Sequence, residues 1–331
     1  MKRSKSIFMN LSVLLTNPST TNLMLVRQAG ATEIVLTCPQ NTDDPTLKLT
    51  EQVRECRKQG LNVNVVERFL PHEKIVLGLE GRETQMLYIK RLIECMGKLK
   101  IGVLCYNWMP SSDWTRTRID VKERGGALVT EFDESELKRT KLHGKLSGQK
   151  IISDKICSAK DLWKTLESFL KEILPVAEKN NVVLALHPDD PPLPILNGKP
   201  QILYSVKQLE RVLSLSKSPS NGICFCQGTF ASAGEDIPKA IRTLGKAIKF
   251  VHFRDVVVDT PGSKFREAWQ DTGDTNMLEA IRAYHSIGFR GTIRPDHVPT
   301  CETEDNTNPG YHILGRLWAL GYIRGLMESV Y

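Results

Sequence analysis

The stretch Gly288-Phe289-Arg290-Gly291-Thr292-Ile293-Arg294-Pro295-Asp296-His297 (288–297) reads as a short apolar strand ending in a carboxylate beside an imidazole. Pro295 stiffens the end of that strand, because its ring fixes φ. A carboxylate placed there can hold a divalent ion, and the adjacent histidine can move protons near neutral pH. Three earlier strand ends offer matching groups: His187 in LALHPDDPP, Cys226 in GICFCQGT and His252 in KFVHFRDV.

Working outward from these ends, the chain alternates between strand-like and helix-like runs. Strands are expected at 7–16, 32–38, 62–68, 101–106, 182–187, 222–226, 248–253 and 289–294, the third showing clear period-two alternation in NVNVVER. Helices are expected at 21–30, 45–60, 81–98, 159–180, 205–217, 235–245, 274–287 and 309–330, the first two stopping at Gly30 and Gly60. Regular alternation calls for a parallel sheet, and eight strand–helix units call for its closure into a (β/α)8 TIM barrel. An open doubly wound sheet lacks support, since no strand is followed by GxGxxG or GxxxxGK[ST].

No composition shift or linker divides the chain, so one domain over 1–331 is expected. A long insertion after the fourth strand, about 107–150, breaks the rhythm. It holds Trp108, Pro110, Asp113, Trp114, Arg116, a Gly125-Gly126 turn and a charged, helix-like piece near 133–141. So long an excursion is usually a lid, a contact surface or both. A homo-oligomer, dimer or larger, is the expected assembly.

Composition is that of an ordinary globular chain, 40% hydrophobic and 25% charged. The net charge of +7 is spread along the sequence rather than gathered into a patch, which argues against nucleic acid and suits an anionic small molecule. The eight cysteines form no CxxC pair and several sit in apolar runs, the pattern of reduced thiols in a cytoplasmic protein. The opening MKRSKSIFMNLSVLL loosely imitates a secretion signal, but Asn10 interrupts its short apolar part. No stretch is long enough to cross a membrane, so no membrane partner is expected.

In a barrel, the carboxyl ends of strands five to eight share one rim. His187, Cys226, His252 and Asp296 would therefore converge as two imidazoles, a thiol and a carboxylate. That set suits Mn²⁺, Fe²⁺ or Zn²⁺ alike. Cys224 lies on the same strand face one layer deeper, as a core thiol. His297 is left free for proton transfer. Tyr311, in NPGYHILGR, faces the same rim from the start of the last helix. Arg254 and Arg294 could each fork onto a substrate carboxylate, while Asp189 and Asp190 could orient ligands or bind hydroxyls.

The run of motifs resembles the mannonate dehydratase family. The matching stretches are VRQAGAT (26–32), CYNWMPSSDWTRT (105–117), HPDDPP (187–192), Cys226-Gln227-Gly228, VHFRD (251–255), IRPDH (293–297) and NPGYHILGR (308–316). The resemblance implies a xylose-isomerase-like TIM barrel that dehydrates D-mannonate to 2-keto-3-deoxy-D-gluconate in sugar-acid catabolism, with Mn²⁺, or else Fe²⁺ or another divalent ion. It implies His187, Cys226, His252 and Asp296 as metal ligands and His297 with Tyr311 as the proton-transfer pair. Arg254, Arg294, Asp189, Asn107 and Trp108 become the expected substrate contacts. The sequence departs from the family at TCPQN (37–41), at ERFLPHE (67–73), where a Ser-Pro pair is usual before His-Glu, and at Val298-Pro299-Thr300. These are substrate-facing loops, so dehydration of another aldonic acid, sugar isomerisation or epimerisation, and non-catalytic sugar-acid binding are the rival readings.

Overall fold

The computed structural model describes residues 9–16, 18–110, 114–143 and 157–331. The first residues of the expected first strand (7–8), Asp113 and the far end of the expected insertion (144–150) lie outside the described residues.

Eight parallel strands close into a barrel: Asn10–Leu15, Glu33–Thr37, Asn62–Glu67, Val103–Tyr106, Val183–Leu186, Asn221–Cys226, Ile248–Phe253 and Thr292–Pro295. Each pairs with the next in sequence. The eighth returns to the first, with Asn10 opposite Thr292 and Leu11 opposite Ile293. Both faces of these strands are covered, which is why they read as nearly continuous apolar runs. One face points into the barrel, where Leu14, Val35, Val65, Val103, Cys105, Ala185, Cys224 and Phe250 pack into a single cluster. The other packs against the surrounding helices in a much larger core. Cys224 is therefore a filler of the barrel interior, one layer below Cys226.

Helix starts follow local chemistry. Ser158 and Asp161 form a reciprocal capping box before Ala159–Lys179, and Asp236 and Asn276 cap the helices that precede the last two barrel strands. The last helix begins at Ile313 rather than 309, because residues 308–312 form the loop that holds Tyr311.

The excursion after the fourth strand differs from expectation. The piece expected as helix near 133–141 holds only a single 3-10 turn, Glu134–Glu136. Before it, Arg118–Lys122 and Leu128–Asp133 form a hairpin around Gly125 and Gly126, both with positive φ. This hairpin joins a second one after the seventh barrel strand, Val256–Thr260 with Lys264–Glu267, in a four-stranded antiparallel sheet. Two excursions thus share one sheet over the carboxyl rim. The sheet leads Arg116 and Glu267 into the site.

Candidate active site and metal pocket

The fifth, sixth and seventh barrel strands deliver His187, Cys226 and His252 to one point. One ligand atom from each lies within 4.8 Å of the others. Asp296, just past the eighth strand, adds Oδ2 at 3.6 Å from His252 Nδ1 and 4.0 Å from Cys226 Sγ.

The surroundings prepare each group for a cation. His187 Nδ1 lies 2.6 Å from the Pro188 carbonyl, which makes it the protonated nitrogen and leaves Nε2 with a lone pair. Burial also lowers the His187 pKa and favours the neutral ring. His252 Nε2 is held by Glu67 at 2.9 Å, while its buried Nδ1 has no hydrogen-bond partner. A carboxylate behind an imidazole is the usual support for a metal-bound histidine. Thr229 donates to the Cys226 sulfur at 3.2 Å and Arg254 approaches it at 3.7 Å, two donors that suit a thiolate. Burial works against the Asp296 charge, but Arg294, His297 and His252 outweigh it and hold this carboxyl well below its usual range. The orphaned Nδ1 and the two donors on sulfur make this donor set fit a divalent ion.

Beside the pocket lies a second constellation. His297 Nδ1 is 3.0 Å from Glu267 Oε1, and its Nε2 is 2.9 Å from the Tyr311 hydroxyl. Burial opposes ionisation of Glu267, yet Arg254, His297 and Arg116 bring its pKa down to about 2. An ionised carboxylate accepts only, so Nδ1 carries the ring proton and Nε2 accepts from the phenol. His297 adopts φ +49, a left-handed conformation that residues with a Cβ adopt at a cost and that recurs at functional sites. Gly310, at φ +85, lies so close that a Cβ there would come within 3.4 Å of His297 Cα. Trp114 closes one side, its ring centroid 5.1 Å from that of His297.

Arg254 and Arg294 are corrections. Each was expected to grip substrate, and each instead pairs with buried carboxylates inside the protein, Arg294 keeping its Nε without a hydrogen-bond partner. Arg254 reaches Glu267 through Nε and Nη2, both at 2.7 Å, and Asp190 through Nη1 at 2.7 Å. Arg294 pairs with Glu67 at 2.6 Å and Asp296 at 2.7 Å. Two buried guanidiniums need carboxylates more than they need solvent, and the barrel supplies them. Asp189 is buried too and accepts from the Leu203 amide at 2.6 Å. Asn107 presents its carbonyl to His72 and its side chain to the Met109 amide. Trp108 points away from the rim, 0% exposed, stacked near Phe169 with its indole N–H on the Leu162 carbonyl. Trp108 offers no exposed face to a ligand, whereas Asp189 keeps its buried Oδ1 without a hydrogen-bond partner and Asn107 is half-buried.

Three residues of the site were not among the expected site residues. Glu67 ends the third barrel strand and followed the same strand-end rule as the ligands. Arg116 bridges Asp190 at 2.8 Å and Glu267 at 2.7 Å from within DWTRT. Glu267 carries a weaker signal: Pro261-Gly262 between VVVDT and KFRE, the mark of a hairpin turn.

With this geometry in place, comparison with known proteins is informative. The family model described as D-mannonate dehydratase (UxuA) matches residues 9–331. Mannonate dehydratase 2 of Halalkalibacterium halodurans is 34% identical over 310 residues, covering 86% of this chain and 88% of that one. Mannonate dehydratase of Thermotoga maritima is also 34% identical over 310 residues, covering 86% and 85%. The crystal structure of mannonate dehydratase from Streptococcus suis serotype 2 superposes with a TM-score of 0.88 at 29% identity, over 97% and 94% of the two chains. A xylose isomerase domain protein from Planctomyces limnophilus, 13% identical with a TM-score of 0.61, shares the barrel alone. The chain belongs to the D-mannonate dehydratase family.

Proposed function

We propose that the protein removes water from D-mannonate to give 2-keto-3-deoxy-D-gluconate. The observation that carries this reading is the line Glu267–His297–Tyr311 set against the pocket of His187, Cys226, His252 and Asp296. Mn²⁺ is the proposed ion, with Fe²⁺ as the alternative, held by those four side chains. Bound there, a divalent ion would supply Lewis acidity, making the proton on carbon two easier to remove.

The residues divide the remaining work. Glu267 keeps His297 Nδ1 protonated, so Nε2 is the basic atom and takes the proton from carbon two. The Tyr311 phenol, already a donor at rest, passes its proton to the hydroxyl departing from carbon three. Electrons from the broken C2–H bond form the C2–C3 double bond as the C3–O bond breaks. The resulting enol gains a proton at carbon three and gives up the one on its carbon-two hydroxyl, becoming the keto acid, with one water released. Trp114, packed over both rings, keeps bulk water from the pair.

A two-metal sugar isomerase would need further carboxylates aimed at an ion. Glu67, Asp190 and Glu267 are all occupied by arginines, which favours the lyase reading. Among the described residues no helix is long and apolar enough to cross a membrane. All eight cysteines are unpaired. These features support work in the cytoplasm, and the antiparallel sheet over the rim is the proposed surface for homo-oligomer contact.

The test uses metal-stripped protein, D-mannonate and Mn²⁺, assayed for a 2-keto-3-deoxy acid in deuterated water. Wild type yields metal-dependent product. Y311F should still exchange the proton on carbon two while losing dehydration, and H297N should lose both. Absence of product with tightly bound metal would reject D-mannonate as the substrate. Loss of exchange in Y311F with its retention in H297N would reverse the two roles.

A further inference from the structure

The barrel interior holds a second group of metal-competent side chains, one layer below the pocket described above. Cys105, from the fourth barrel strand, and Cys224, from the sixth, each bring a sulfur to His252. One ligand atom from each of the three lies within 4.8 Å of the others. All three residues are buried, Cys224 completely. Barrel interiors are mostly filled by branched aliphatic side chains. The rest of the interior cluster is hydrocarbon accordingly: Leu14, Val35, Val65, Val103, Ala185 and Phe250. Its two thiols stand where an imidazole comes within reach of both.

The donor atoms select the ion. The upper pocket adds the carboxylate of Asp296 to its sulfur and nitrogens. The lower triad offers two sulfurs, one nitrogen and no oxygen. Hard ions such as Mn²⁺ favour oxygen, whereas cysteine sulfur selects soft ions, Cu⁺ foremost. Zn²⁺ takes four ligands in a closed site, one more than the triad supplies. A soft ion content with few ligands is the better match. His252 belongs to both groups, so the two sites are coupled. Its Nδ1 is the atom without a hydrogen-bond partner, and its Nε2 is the atom that Glu67 holds at 2.9 Å. Whichever nitrogen turns to the sulfurs, the upper pocket loses either a ligand or that ligand's support.

We infer that Cys105, Cys224 and His252 form a site for a thiophilic monovalent ion, Cu⁺, and that filling it expels the divalent ion from the pocket above. Two Cu–S bonds and one Cu–N bond form, and the two thiol protons pass to solvent. Copper enters and stays as Cu⁺, so no electrons move. The thiols thereby make the enzyme sensitive to a soft metal through a layer that takes no part in the dehydration itself. Cys226, supported by Thr229 and Arg254, remains the sulfur of the upper pocket. Binding at the lower triad is independent of which sugar acid the enzyme uses.

The experiment titrates Mn²⁺-loaded wild type, C105A, C224A and the double variant with Cu⁺ under anaerobic conditions, against a chromophoric Cu⁺ chelator. Copper and manganese are counted after desalting. Wild type should hold an equimolar amount of Cu⁺ and release Mn²⁺ as it binds. Each single variant lacks a ligand, so its Cu⁺ affinity should fall by more than the roughly 10- to 100-fold that follows loss of a ligand's support. Mn²⁺ should then stay in place. Without copper, the variants should bind Mn²⁺ as wild type does, which checks the fold and the upper pocket. C105S and C224S, close to cysteine in size, repeat the comparison where alanine loosens the barrel. X-ray absorption at the copper edge should show two sulfurs and one nitrogen. Equal Cu⁺ affinity in wild type and the double variant would overturn the site and put the copper on Cys226. Copper lost to the chelator by wild type would overturn it too. Copper held through Cys105 and Cys224 with Mn²⁺ retained would overturn the expulsion.

Discussion

Glu267 Oε1 and His297 Nδ1 stand 3.0 Å apart, although one comes from the antiparallel sheet and the other from the barrel rim. The contact decides which ring nitrogen carries the proton, and through that, which atom can act as base. Glu267→Gln can accept the same hydrogen bond but no longer demands a donor. It also removes the charge that Arg116 and Arg254 share. The kcat is expected to fall roughly 10²- to 10⁴-fold with little change in KM. Thermal stability should fall as well, because two buried guanidiniums would be left with Asp190 alone. A variant that keeps most of its kcat would remove the Glu267–His297 contact from the mechanism.

Gly228 reports on how the Cys226 sulfur is supported. A Cβ at this position would sit 2.5 Å from Arg254 Cγ and 2.6 Å from its Nε. Gly228→Ala must therefore push the guanidinium away from both Cys226 and Glu267. Metal affinity should drop about 10- to 100-fold, the usual cost of disturbing a ligand's support. With Co²⁺ as probe, the sulfur-to-metal absorption band should survive in G228A at higher metal concentration and vanish in C226S. A band that persists in C226S would take Cys226 out of the ligand set.

The barrel was legible because its signal is repeated. Each strand carries an apolar run, several helices carry their own cap, and eight repeats leave little choice of topology. The convergence of His187, Cys226, His252, Asp296 and His297 was legible for a related reason: strand ends place side chains by rule. The arginines were not. A guanidinium at a strand end reads the same whether it faces substrate or a buried acid, and the acids that claim Arg254 and Arg294 come from distant segments. Glu267 was hidden because its hairpin makes sense only against the strand Leu128–Asp133 across the rim. Trp108 was misassigned because proximity in sequence to a loop says nothing about which way a ring turns.

Trp108 tests that last point directly. Its ring is packed with Tyr106, Phe169 and His72 in the layer between barrel and helices. Trp108→Ala should cost about 3–5 kcal/mol of stability through the cavity it leaves. KM for the sugar acid should stay near wild type at temperatures where the variant is folded. Chemical denaturation paired with steady-state kinetics separates the two effects. A raised KM with unchanged stability would return Trp108 to the substrate pocket.

Asp255 gives the protein a pH dependence that the site residues do not explain. It is 1% exposed; its Oδ1 accepts from the amides of Val256 and Thr275, while Oδ2 has no partner. Burial pushes its pKa up to about 7. In the unfolded chain an aspartate titrates near about 3.9. Between these values the folded state binds more protons than the unfolded one, so stability declines as pH rises from about 4 to 7 and then levels off. Asp189, raised to about 6 by burial, acts in the same direction. Asp255→Asn keeps the Oδ1 acceptor and removes the charge. It should be more stable than wild type at pH 8, by an amount on the order of a few kcal/mol, and the gap should close towards pH 4. Urea denaturation across that range is the measurement. Wild-type and D255N stabilities that run parallel with pH would mean that Asp255 carries no proton at neutral pH and that the decline has another source.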